Sequence, residues 1–242
     1  MKRRRRDPLL CELHAHTCWS DGALSVRELV DLYGRNGFDV LCVTDHLVRV
    51  PEDTARPPSE VTHETYGAYL DAVRRESERA WLLYELLVIP GLELTYDDHD
   101  AARAAHAVAV GLREPVDLES GLDPALVAAR TAGAALIAAH PYEPEQLGST
   151  QRQTCRWAVE RESAGALVDR FELFNRHDLF GWVAEARLPA VATGDFHRLE
   201  HLATWKTLLP CRKEEAAVLD YLRSPRPAYV VDLAAAGLRA AA

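Results

Sequence analysis

The sequence predicts a parallel α/β barrel of about seven strands, and three observations carry that reading. Short apolar runs alternate with helix-length amphipathic stretches throughout the 242 residues. Those runs end repeatedly in His, Asp or Glu: His14-Ala15-His16, Thr44-Asp45-His46, Gly91-Leu92-Glu93, Ala139-His140 and Gly194-Asp195-Phe196-His197, with His106 beside a further run. There is no internal repeat, low-complexity linker or break in composition. In a parallel barrel the C-terminal strand ends share one rim, where active sites lie. The polar ends are therefore expected to gather there.

The run Pro8 to Leu13 reads as the first strand and delivers His14 and His16. In Leu24-Ser25-Val26-Arg27-Glu28-Leu29, Ser25 caps a helix, Glu28 closes the capping box, and Leu24 with Leu29 forms a hydrophobic staple. Gly37 marks that helix's end. Asp39 to Thr44 is the second strand and delivers His46, and prolines at 51, 57 and 58 keep Leu47 to Ser59 a loop. From Thr62 to Glu85 a long helix is expected, with Tyr66, Leu70, Val73, Ser77, Trp81 and Tyr84 on one face. Leu86 to Glu93 is a strand through Pro90-Gly91. The Ala-rich stretch from Ala101 has helical propensity, yet Val108 and Val110 flank a short run that stops at a glycine. Ala104 to Gly111 is therefore assigned as a strand. Asp123-Pro124 reads as a cap followed by proline at the first helical position, and Gly133 as that helix's end. Ala134 to Ala139 is the fifth strand, a helical segment covers Thr154 to Glu162, and Leu167 to Phe174 is the sixth. His177 to Ala186 is expected to be helical, and Pro189 to Gly194 is the seventh strand. The extended run Thr204 to Leu209, the helix Lys213 to Leu222 and the apolar run Tyr229 to Leu233 complete the chain.

Apolar and charged fractions of 48% and 27% are ordinary for a soluble globular protein. The even composition favours one domain over 8–242 behind a basic tail at 1–7. No apolar run is long enough to span a bilayer, and the N-terminus lacks the apolar region of a secretory signal. The five cysteines, odd in number and without a C-x-x-C pair, suit a reducing compartment, and the cytoplasm is the expected location. Net charge is −9; the run Lys2 to Arg6 carries +5, which leaves −14 on the remainder. An acidic body argues against broad nucleic-acid binding through phosphates, and the basic run reads as a solvated tail.

His14 and His16, two residues apart, share one face of an extended strand, and Asp21 returns a carboxylate from the following turn. Imidazole with carboxylate is ligand chemistry for zinc, iron or manganese. The series His14-x-His16-x-x-x-Ser20-Asp21-Gly22, Thr44-Asp45-His46, Gly91-Leu92-Glu93, His106 with Gly111, His140-Pro141 and Asp195-Phe196-His197 resembles the PHP (polymerase and histidinol phosphatase) family, and it runs in the family's order from Leu10 to about Leu209. The resemblance implies an α/β fold of the distorted (βα)7 barrel kind, with the metal site at the C-terminal ends of the strands. It implies up to three divalent transition metals, zinc, manganese or iron. His14 and His16 with Glu93 and Asp195 would hold the first. Glu93 would bridge to a second on His106 and His140, and Asp21, His46 and His197 would hold the third. Asp21 stands where some members have histidine, which hardens that site, and Thr17 stands where serine is common.

The implied activity is hydrolysis of a phosphate ester, monoester or diester, by a metal-bound hydroxide at a trinuclear site, with Glu93, Asp195 and His197 as the catalytic residues. Three divalent ions against the carboxylates Asp21, Glu93 and Asp195 leave the pocket locally positive, as an anionic substrate requires. The expected partner is a small phosphate ester, with a nucleotide or oligonucleotide end also admitted, and no membrane. Arg176, His177 and Arg198 lie just beyond strand ends and are candidate substrate contacts. Glu172 is a candidate orienter of a ligand histidine, Glu12 shares the face of His14, and Asp45 alternates away as structural support. His63, His99 and His201 read as surface residues, and Trp157, Trp182 and Trp205 as core or helix-face aromatics rather than base-stacking platforms. Two other classes compete. A binuclear amidohydrolase barrel also opens on His-x-His, but its usual bridging lysine has no counterpart among Lys2, Lys206 and Lys213 unless Glu93 takes the role. A non-catalytic metal-binding barrel is the other; structural zinc sites are cysteine-rich, and this set holds no cysteine.

Overall fold

The computed structural model describes residues 7–146 and 154–237; the basic run Lys2 to Arg6 lies outside the described residues. The strands are β1 (Leu9–Glu12), β2 (Val40–Val43), β3 (His46–Arg49), β4 (Leu87–Tyr96), β5 (Ala105–Val110), β6 (Ala135–Ala139), β7 (Arg170–Asn175), β8 (Asp178–Leu179), β9 (Ala190–Thr193), β10 (Trp205–Leu209) and β11 (Tyr229–Asp232). Between them run α1 (Val26–Arg35), α2 (Tyr66–Tyr84), α3 (Leu122–Thr131), α4 (Arg156–Val159), α5 (Arg161–Leu167), α6 (Gly181–Glu185) and α7 (Glu215–Leu222). The result is a mixed α/β fold around one curled sheet, ordered β11-β10-β1-β2-β4-β5-β6-β7-β8, with β3 added to β4 and β9 to β7. Among the described residues no helix is long and apolar enough to cross a membrane.

Alternation along the strands splits the apolar residues between two cores. Leu41, Val43, Val88, Leu136 and Phe171 pack with α1, α2 and α3 on one face. Cys11, Val40, Cys42, Ile89, Ile137 and Val191 pack on the other, closed by Val218, Leu219, Tyr221 and Leu222 of α7. Arg170 fixes that plug. Its buried guanidinium donates to the carbonyls of Leu222, Tyr221, Ser224 and Arg226 at 2.7–2.9 Å, satisfying the end of α7.

The ends of the curl meet without a continuous ladder among the described pairings. One parallel bridge joins Ala15 to Phe196, and Thr207 Oγ1 accepts from Ala192 N–H at 2.8 Å and donates to its carbonyl at 2.7 Å.

Most elements stand where the sequence places them. Ser25 and Glu28 form a complete capping box on α1, and the Ala-rich stretch is the strand β5. The uniform parallel order does not hold: β5 runs antiparallel to both β4 and β6. Only residues 97–104 separate β4 from β5, too few for the crossover a parallel pair needs. His46 does not end β2 but begins β3, which pairs with β4 alone. The long helix starts at Tyr66 rather than Thr62, because the amides of Thr62 and Thr65 bond each other's hydroxyls at 2.8 and 3.3 Å. Its buried face is Tyr66, Tyr69, Val73 and Ala80, while Trp81 is 49% exposed. α3 starts at Leu122, with Gly121 as N-cap; Asp123 lies inside the first turn and pairs with Arg156 at 2.7 Å. Where a helix was expected from His177, Arg176 adopts φ 53° and turns the chain into a hairpin, pairing Asn175 with Asp178. α6 begins only at Gly181.

Arg170→Met keeps bulk but strips four carbonyls, two of them in buried bonds, of their donor. The expected loss is about 3 kcal/mol of stability, read as a lower urea midpoint at unchanged slope. A variant with the wild-type midpoint would show that Arg170 does not hold α7.

Candidate metal centre

β4 supplies the centre. Glu93, 1% exposed, lies in register with His46 on β3 and Val108 on β5, and Thr95 pairs with His106. Because β5 is reversed, His106 near its start comes to the same rim as residues beyond the ends of the other strands. Glu93 Oε1 is 3.1 Å from both His106 Nδ1 and His140 Nε2. Its Oε2 is 2.8 Å from His46 Nδ1, 3.4 Å from His14 Nε2 and 3.5 Å from His16 Nε2.

Three groups of donor atoms, each within 4.8 Å of one another, could hold an ion: His14, His16 and Glu93; Glu93, His106 and His140; and His16, Asp21, His46 and His197. Asp195 Oδ1 approaches His16 Nε2 at 3.3 Å and His14 Nε2 at 3.7 Å, at the edge of the first group. All nine residues expected as ligands are thus gathered in one place. The fit to cations is testable on atoms already present. His14 Nε2 and His16 Nε2 are buried without a hydrogen-bond partner, an arrangement that costs stability unless a further group engages them. The donor set, imidazole and carboxylate with no thiolate, suits zinc, manganese or iron.

Supporting residues fix the ring orientations. Glu172 lies 2.9 Å from His14 Nδ1, accepts the His140 N–H at 2.7 Å, and is itself held by Thr193 Oγ1 at 2.6 Å and Asn175 Nδ2 at 2.8 Å. Asp45 accepts from Thr17 and Ser20, backbone and hydroxyl alike, at 2.7–3.1 Å, and so braces the turn that presents Asp21. A Cβ on Gly22 would collide with the backbone of His16, so that turn requires glycine. Sequence reading passed over Thr95, 2.7 Å from His46 Nδ1, and Asp97, 3.1 Å from His106 Nε2. The signal was there: Glu93, Thr95 and Asp97 recur at the strand's period of two.

The remaining candidates divide. Arg176 turns toward the site, with Nη2 2.9 Å from Asp195 Oδ2 and from His197 Nδ1, and Nε donating to the Asp195 carbonyl at 3.1 Å. Arg198 is exposed and pairs with Glu200 at 2.9 Å, and His177 is exposed at the hairpin turn. His201 is buried instead of lying on the surface, and its Nδ1 accepts the His197 N–H at 3.1 Å. Burial and then the charge of Arg176 push its pKa down to about 4, so it is neutral and free to accept. Glu12 turns away from the histidines toward Lys206 and Tyr33. Trp157 and Trp182 are buried as expected, while Trp205 is partly buried and stacks on Phe174 at 4.0 Å.

The PHP domain family profile matches residues 12–148, more than half of the chain. The chain belongs to the PHP domain family. Among curated proteins it resembles the DNA polymerase/3'-5' exonuclease PolX of Bacillus subtilis, 29% identical over 89 residues; this covers 36% of the chain and only 15% of that protein. In fold it resembles a two-domain protein of Bacteroides vulgatus containing a predicted PHP-like metal-dependent phosphoesterase (TM-score 0.63, 21% identity, 96% of this chain and 69% of that one). It also resembles an amidohydrolase of Chromobacterium violaceum with bound sulfate and no metal (TM-score 0.51, 15% identity, 77% and 87%).

The charges decide how cations enter. Burial disfavours imidazolium, but Glu93 and Asp21 outweigh it at His46 and raise its pKa to about 10. Against the same burial, Asp97 and Glu93 raise His106 to about 9, and Asp195 and Asp21 raise His197 to about 9. His16 goes the other way, lowered by burial and by the cationic His197 and His46. Glu93 is held well below the usual carboxylate range despite burial, by His46 and His14. Metal ligation needs neutral imidazole, so metal uptake at pH 7 should release more than one proton, read by calorimetry in buffers of different ionisation enthalpy. The sign for stability follows from folded pKa values above the unfolded ~6.5. In the metal-free protein these three histidines contribute stability that is full below about pH 6.5 and lost as pH rises through 9 to 10. Metal uptake without proton release would show that these imidazoles are neutral beforehand.

Proposed function

We propose that this chain is a metal-dependent hydrolase of phosphate esters, built as a distorted (βα)7-type barrel with its metal centre at the rim formed by the C-terminal strand ends. The observation that carries the reading is the convergence of His14 Nε2 and His16 Nε2, buried and without hydrogen bonds, on Glu93 Oε2 at 3.4 and 3.5 Å. His14, His16, Glu93 and Asp195 would hold one ion, Glu93 with His106 and His140 would hold a second, and Asp21, His46 and His197 would hold a third. Bound divalent ions supply positive charge to the phosphoryl oxygens and make water nucleophilic at neutral pH.

The chain's own residues do the rest. Glu93 and Asp195, both held ionised, offset the charge of the ions, and Arg176 locks Asp195 in place. Asp21 lies between two cavities. One, of about 280 Å³, is walled by Val48, Val50, Ala55 and Pro57 together with His46, Ser59, Thr95 and Asp97; the other, of about 420 Å³, is lined by Arg176, His197, Arg198 and His201. The first, with Asp21 and Asp97 beside its apolar wall, takes a leaving group without negative charge and the second takes anionic oxygens, dimensions that suit a small ester. Among the described residues the first cavity is lined by no arginine, lysine or stacking aromatic, and the chain's net charge is −9. Both favour a small ester over a long polynucleotide. The sulfate bound to the Chromobacterium protein is a tetrahedral oxyanion, the shape of a phosphoryl group. Unpaired cysteines support the cytoplasm as the location.

The deciding experiment is a screen of phosphomonoesters, phosphodiesters and amides with added manganese, zinc or iron. Hydrolysis of a small phosphate ester is expected, abolished by chelation. Glu93→Gln should cut turnover at least ~100-fold, about 2.7 kcal/mol of barrier, and lower metal content. Turnover of amides alone would move the chain to the amidohydrolase class, and full activity after thorough demetallation would sink the scheme.

A further inference from the structure

Two pairs of the candidate ligands come from opposite ends of the chain, and they meet where the described pairings form no continuous ladder. His14 and His16 follow β1, and Asp195 and His197 follow β9. The backbone joins these segments by His16 N–H to the Phe196 carbonyl at 2.8 Å and Phe196 N–H to the His14 carbonyl at 3.2 Å. Directly below sits a carboxylate that belongs to neither half of the ligand set. Glu12 Oε1 accepts the N–H of Gly194 at 2.9 Å and that of His14 at 3.3 Å. Its Oε2 accepts from Tyr33 OH at 2.9 Å and faces Lys206 Nζ at 3.1 Å. Glu12 and Lys206 are both fully buried. Lys206 also donates to Thr204 Oγ1 at 2.7 Å and to the His201 carbonyl at 3.1 Å, and His201 in turn accepts the His197 N–H. A Cβ on Gly194 would collide with Glu12 Oε2 and Lys206 Nζ, so the closure is built around this pair.

Resting on the metal-centre reading, we propose that Glu12 and Lys206 are positioning residues for that centre: their buried pair staples the His14–His16 segment to the Asp195–His197 segment and sets the spacing of the donor atoms. For stability alone such a pair is a poor device. Apolar residues of similar volume commonly replace a buried ion pair with no loss. What an apolar pair cannot do is accept the Gly194 and His14 amides together.

The test compares two charge-neutral double variants by zinc affinity, measured in competition with a chromophoric chelator, and by the visible spectrum of the cobalt-loaded protein. Glu12→Leu with Lys206→Leu removes charges and acceptor together. It should fold, yet bind zinc roughly 10–100-fold more weakly, with an altered cobalt spectrum. Glu12→Gln with Lys206→Met keeps a carbonyl acceptor and should recover most of the affinity. Wild-type affinity in the leucine pair would overturn the proposal. So would a leucine pair that fails to fold, since the two residues would then serve the core, or a glutamine variant as weak as the leucine one. Wild-type protein that binds no zinc or cobalt would instead overturn the metal-centre reading, and this proposal with it.

Discussion

The arrangement depends on one buried carboxylate. Glu93 is almost wholly removed from water and faces five imidazoles, two through Oε1 and three through Oε2. An isolated carboxylate so placed would take up a proton; here the surrounding positive charge holds it ionised. The dependence runs both ways. Without Glu93 the imidazoles would stand as crowded like charges, and His16, lowered by burial and then by its cationic neighbours, already registers that repulsion. Five strands or strand ends converge on this point, so the curl of the sheet and the electrostatics of the rim are one constraint.

Around it the backbone is held away from its relaxed conformation. His140 adopts φ 28° and Asp195 φ 41°, a region that costs a non-glycine residue about 1–3 kcal/mol. Each is held there by a side chain from a neighbouring strand or turn. Glu172 takes the His140 N–H, and Arg176 donates to the Asp195 carbonyl. The same two residues also touch ring or carboxylate atoms of the centre, so conformational strain and donor orientation are set by common contacts.

The sequence disclosed what is local or periodic. The Ser25–Glu28 box is visible because its partners are three residues apart, and the histidines declare themselves because apolar runs point at them. It hid what depends on partners far along the chain. Trp81 fits the helical period of Val73 and Ser77, yet what packs on α2 selects Tyr69 and Ala80. The hairpin at Arg176-His177 needs a left-handed residue at position 176, which is held by arginine rather than glycine or asparagine. His201 looks like a surface residue until its backbone hydrogen-bond partner is known. The direction of β5 was legible in principle, since the eight residues before it leave no room for a crossover.

That reversed strand also divides the centre by sequence distance. Glu93 and His106 are 13 residues apart on adjacent antiparallel strands, so a short hairpin brings them together at little loop-closure cost. His14 and Asp195 meet only after nearly the whole chain has been gathered, the kind of contact that slows folding. In terms of chain connectivity the site joins a local hairpin to a long-range seam. Donors on the hairpin side are placed by a local pairing, whereas the placement of Asp195 depends on contacts that span nearly the whole chain.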